Sequence, residues 1–173
     1  MDEKSTEVEI EEIYIAPSIT VTLNKADVDE EVAKATDYTG SKLIEEDGRA
    51  RDRILMSDED QKSLKRFWTE GIDVIIEKLK EIVANVEDST SDTKLTLTVS
   101  KAYDTTLNSS VQSSLRSFVI AYIIGRWFQL ANKQEATDYI AQAEVDLGKA
   151  ERLLYSRRRP TPPRKTVGTA PIV

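Results

Sequence analysis

The stretch Phe118–Ala131, FVIAYIIGRWFQLA, limits the folds open to this chain more than any other. Only Arg126 in it is charged, and only Gln129 is otherwise strongly polar. The run is too long for an ordinary core strand and shorter than the roughly 20 apolar residues of a membrane span, which leaves a buried helix. Its pattern extends upstream: Val111, Leu115, Phe118, Val119, Tyr122 and Ile123 recur at three- and four-residue spacing, with Gln112, Ser113, Arg116 and Ser117 on the other face. The helix therefore begins half exposed and ends enclosed. Other elements must wrap it, since each large side chain left wet forfeits about 1.5–3 kcal/mol. Gly125 inside it costs about 1 kcal/mol relative to Ala, which points to a close helix crossing there. Arg126 is expected to snorkel or to pair with a carboxylate from a neighbouring element.

Composition narrows function by exclusion. Cys and His are both absent, so disulfides, thiol nucleophiles, the usual zinc ligand sets and the commonest general base are unavailable. No catalytic residue, metal ligand set or cofactor site is assigned, and the chain is not expected to be an enzyme. The acidic runs Glu45-Glu46-Asp47 and Asp58-Glu59-Asp60 lack the spacing of a calcium loop and read as solvated charge. The acidic start of the chain has no apolar signal-peptide segment, so synthesis in the cytoplasm and no membrane partner are expected.

The net charge of −7 hides an asymmetry: the stretch after Tyr155 carries Arg157, Arg158, Arg159, Arg164 and Lys165 without an acid, +5 in all, and everything before it carries −12. An acidic body is a poor general nucleic-acid binder, whereas a basic extension suits docking on something acidic, including another copy of the same body.

Read in order, residues 1–6 are expected to be disordered, 7–155 to form one helical domain with a small sheet, and 156–173 to form an extended Arg/Pro-rich arm. Glu7–Ile15 reads as a short or bulged strand, either in a hairpin with the next strand or as an arm adding to a neighbour's sheet. Ile19, Val21 and Leu23 alternate as a second strand. A helix from Val28 to Thr39, capped by Asp27 and stopped by Gly40, follows. Residues 44–56 read as a solvated loop.

Ser57 and Asp60 open a long amphipathic helix whose apolar spacing runs through Leu64, Phe67, Trp68, Ile72, Ile75, Leu79, Ile82 and Val86, with a polar loop over Glu87–Thr93. Leu95, Leu97 and Val99 form a strand expected to pair with Ile19–Leu23. Asn108 is the expected cap of the central helix. A tight hairpin near Asn132 leads into a last helix with the Ala-rich seam Ala136, Ile140, Ala143, Leu147, Ala150, Leu154. The fold class is thus mainly α: a helical bundle around a central buried helix hairpin, with a small antiparallel β-sheet and extended termini. Phe67, Trp68, Phe118, Tyr122, Trp127 and Phe128 are its expected core anchors. Arg157, Arg158, Arg159, Pro160, Arg164 and Lys165 are the expected docking residues of the arm.

Several stretches together carry a resemblance: Glu31-Val-Ala33, Asp37-Tyr-Thr-Gly-Ser-Lys42, Arg66-Phe-Trp68, Tyr122-Ile-Ile-Gly-Arg-Trp-Phe128, Asn132-Lys-Gln-Glu-Ala136 and Leu154-Tyr-Ser-Arg-Arg-Arg-Pro160. From about Asp27 to Pro160 the chain resembles small virion proteins of tailed phages of gut Bacteroidetes, crAss-like or related, and among them the head-to-tail connector (neck or ring) proteins. The resemblance implies a virion location at the head–tail interface and assembly with copies of itself as a cyclic ring, a dodecamer. It also implies contact with the portal protein and the next tail or ring protein, and a channel passing DNA without sequence specificity. A cytosolic assembly chaperone and a nucleic-acid-associated packaging factor are the alternatives.

Overall fold

The computed structural model describes residues 16–42, 60–131 and 133–158. In chain order these form β1 (Ser18–Asn24), α1 (Lys25–Lys42), α2 (Gln61–Lys78), β2 (Val83–Asp88), β3 (Asp92–Thr98), a 3-10 turn (Thr105–Leu107), α3 (Asn108–Ala131) and α4 (Lys133–Leu154). The expected strand at Glu7–Ile15, the loop at 44–56, the cap at Ser57, the acidic run 45–47 and Asn132 lie outside the described residues.

Helix α3 is the centre of the bundle. It forms a hairpin with α4 and also packs on α2, α1 and β1, so the apolar run is covered from several directions. Val111, Leu115, Phe118, Val119, Ile123, Ile124 and Phe128 are all buried. At Gly125 the two helices meet: a Cβ there would lie 2.9 Å from Ile140 Cγ1 and 3.3 Å from the Ile140 backbone nitrogen. The small residues Ala136, Ala143 and Ala150 line the same face of α4, which lets the backbones approach. None of the described helices is long and apolar enough to cross a membrane.

The sheet is three-stranded and antiparallel in the order β1-β3-β2. Ile19 opposes Leu97 and Val21 opposes Leu95, so the alternating apolar residues of both strands share the buried face while Thr20 opposes Thr96 on the other. This is the pairing expected from the two alternating patterns.

Four local expectations are corrected. Helix α1 starts at Lys25, with the Asn24 side chain accepting the Asp27 N–H at 3.1 Å, so Asn24 rather than Asp27 is the cap. The helix runs through Gly40, which is buried within it, to Lys42. At the next helix, α2 ends at Lys78, and Val83–Asp88 is a strand instead of two more helical turns and a polar loop. A β-bulge between Val83 and Asn85 explains the misleading spacing: Val83 opposes Leu97 and Val86 opposes Leu95, so two residues three apart share one face of a strand. That interval imitates a helical period. Finally, Asn108 already has helical dihedrals; Asp104 caps the entry, its carboxylate accepting the Thr106 N–H at 3.1 Å.

Candidate functional site

The basic arm leaves the body at a defined point. Below α4 the chain runs beside the segment that follows β3: Tyr103 and Arg157 form an antiparallel bridge, and the Arg158 N–H donates to the Ala102 carbonyl at 2.7 Å. The first two arginines of the arm are thus held to the body by their backbone while both side chains remain exposed. Beside them, the Asp104 carboxyl is held below the usual range by the Thr106 hydroxyl and N–H and by the nearby Arg158 charge. Arg159, Pro160, Arg164 and Lys165 lie outside the described residues. The boundary expected at residue 156 therefore leaves Arg157 and Arg158 docked on the domain.

Tyr103 sits buried at the root of the arm. Its hydroxyl has no hydrogen-bond partner among the described residues, and burial pushes its pKa above the ordinary phenol value. A buried donor without a partner costs the desolvation of that group. Tyr103→Phe is therefore expected to leave stability unchanged or to raise it by up to about 1 kcal/mol, read from urea midpoints at constant m.

A polar chain at the other end of the sheet was not legible from motif spacing. Trp68 Nε1 donates to Thr93 Oγ1 at 3.1 Å, Thr93 donates in turn to Asp88 Oδ1 at 2.6 Å, and Lys25 Nζ sits 2.9 Å from the same oxygen. Four residues from α1, α2, β2 and β3 meet there, two of them, Asp88 and Thr93, from the stretch expected to be a polar loop. The only signal was a fully buried Thr opposite an Asp, which needs the β2–β3 register to be seen. Thr93→Val is expected to cost about 1–3 kcal/mol by orphaning the indole N–H, measured by thermal or urea unfolding.

The Thr93 hydrogen bond, followed by Lys25, holds the Asp88 carboxyl below the usual carboxylate range. A depressed pKa contributes stability above the unfolded value near about 3.9, and this is lost as pH falls through the folded value. The stability gap between wild type and Asp88→Asn is therefore expected to narrow as pH drops below about 4.

Of the six expected anchors, Phe67, Trp68, Phe118 and Phe128 are buried, while Tyr122 and Trp127 are half-buried against the core. Arg126, between Gly125 and Trp127, meets the expectation set for it: its Nε and Nη2 reach Glu70 Oε2 on α2 at 3.1 and 3.0 Å. Its guanidinium carbon also lies 5.9 Å from the Phe67 ring centre. The pair is part-exposed and structural in placement.

Two surface hollows flank Trp68. One, lined by Lys25, Asp29, Leu64, Lys65, Trp68 and Thr90, sets two cations against one carboxylate, with Lys25 already engaged by Asp88. The other is an apolar groove between α2 and β2, with Ile72, Ile76 and Val86 in its lining and Asp73 and Asp88 at its edge. No family model, curated protein or solved structure matches this chain.

Proposed function

We propose that this chain is a structural virion subunit that forms a ring between a phage portal and tail and lines the DNA channel. The reading rests on the resemblance described above. The observation that carries it furthest is the fixed exit of a +5 segment from a −12 body, through the backbone pairing of Arg157 and Arg158 with Tyr103 and Ala102. An arm that begins at a rigid anchor and carries charge opposite to the body suits head-to-tail contact between copies, which closes into a ring when the rotation allows. Contact with the portal protein and with the next tail or ring protein belongs to the same proposal.

The test is to purify genome-filled virions, ask whether the chain is present, and image the portal vertex. A symmetric ring of this chain at that vertex is the expected result. Absence of the chain from filled particles would overturn the reading and favour an assembly chaperone or a packaging factor.

A further inference from the structure

The sheet has two outer edges, and they differ. On β1, the Thr22 carbonyl is already taken by Gln112 Nε2 of α3 at 3.1 Å. On β2 no such cover exists among the described residues. The Thr98 N–H donates to Ile82 O and the Ser89 N–H to Asp92 O, so the even-numbered residues of β3 bond toward β2 and engage Asn85 and Glu87. The backbone groups of Val86 and Asp88 consequently face away from the sheet. Alongside them runs the groove of about 180 Å³ with Ile72, Ile76 and Val86 in its lining, Trp68 also contributing, and the carboxylates of Asp73 and Asp88 at its edge, Asp88 being paired with Lys25. An open hydrogen-bonding edge beside an apolar groove is the arrangement that accepts an added strand: the backbone supplies affinity, and alternate side chains entering the groove supply selectivity.

We propose that this edge receives the segment Arg164–Ala170 of a second copy as an added strand. Charge selects it: Asp73 and Glu87 favour a basic segment and repel the acidic Glu7–Glu12 stretch. Length selects it too, because RKTVGTA is a proline-free heptapeptide between Pro163 and Pro171, matched to the six residues of β2. With Val167 directed into the groove, Lys165 and Thr169 fall on the same face and Lys165 is placed beside the acidic residues. The intervening Pro160-Thr-Pro-Pro163 is a sequence that favours extended, stiff conformations. Residues 159–173 span up to ~50 Å when extended, enough to reach a neighbour.

The inference rests on the proposal that copies of this chain associate, and the two fail separately. The receiver is the full chain with Arg164→Glu and Lys165→Glu, which disables its own arm; the probe is a fluorescent peptide of residues 159–173. Binding is expected, with slowed amide hydrogen exchange at Val86 and Asp88, whose backbone groups face away from β3. Asp73→Lys in the receiver is expected to weaken binding about ten-fold, and a peptide carrying the same two Glu substitutions to recover it.

Protection confined to another part of the body, no peptide binding, or no response to Asp73→Lys would each overturn the docking site. Protection of the outward-facing Val86 and Asp88 amides in the dilute, monomeric wild-type chain would overturn the second copy as the occupant. A virion ring whose β2 edge is unoccupied sinks this inference alone, whereas peptide binding as described in a protein absent from particles sinks the ring alone.

Discussion

Gly125→Leu is expected to drive α3 and α4 apart and to cost about 3 kcal/mol or more, at or beyond the upper end of ordinary overpacking. Even a methyl at this position would stand 2.9 Å from Ile140 Cγ1, 3.3 Å from the Ile140 nitrogen and 3.5 Å from Tyr139 Cβ. The first neighbour is a flexible side chain and can give way. The second is backbone and moves only with its helix.

Gly125→Ala sets about 1–3 kcal/mol of strain against about 1 kcal/mol gained in helix propensity, so its net loss is small. Gly148 on α4 supplies the control, since a Cβ there meets nothing within 4 Å; Gly148→Ala is expected to stabilise by up to about 1 kcal/mol. Calorimetry of the three variants reads the order directly, with the Leu variant lowered by roughly 6–12 °C for a domain of this size. A Leu variant as stable as wild type would mean that the helices do not cross closely at residue 125.

What the sequence made legible follows the strength of its periodicities. The central helix, the Ala-rich seam of α4, the crossing at Gly125 and the β1–β3 pairing all rest on long or cleanly alternating patterns that tertiary context reinforces. The β2 strand failed for a specific reason: its bulge places Val83 and Val86 on one face at a helical interval, directly after a true helix of the same period. Its other residues, Ala84, Asn85, Glu87 and Asp88, are poor strand formers, so propensity gave no contrary signal. The strand exists because β3 pairs with it and because Val83 and Val86 cover the core.

The same miss concealed most of the candidate interface. Without β2 there is no open edge, no groove against Ile72 and Ile76, and no carboxylate for Thr93 and Lys25 to hold. The charge asymmetry, by contrast, was plain from sequence. The structure adds the point where the basic segment leaves the body, which depends on a long-range pairing between residues 102–103 and 157–158.

Phe128→Ala is expected to cost about 3–5 kcal/mol, and Trp127→Ala, its larger neighbour, about half as much or less. Size alone predicts the reverse order. Phe128 is fully buried at the α3–α4 contact, its ring centre 5.5 Å from that of Tyr139, so its removal leaves a cavity enclosed by two helices that the Gly125 crossing holds in place. Neighbouring walls fixed by backbone contact collapse little, which keeps the cavity term large. Trp127 points about 100° further round the helix and is only half-buried, so water replaces part of what the ring covered. Urea unfolding of the two variants decides it. Equal losses would mean that Trp127 is a full core anchor and that burial at α3 extends further round the helix than its accessible surface indicates.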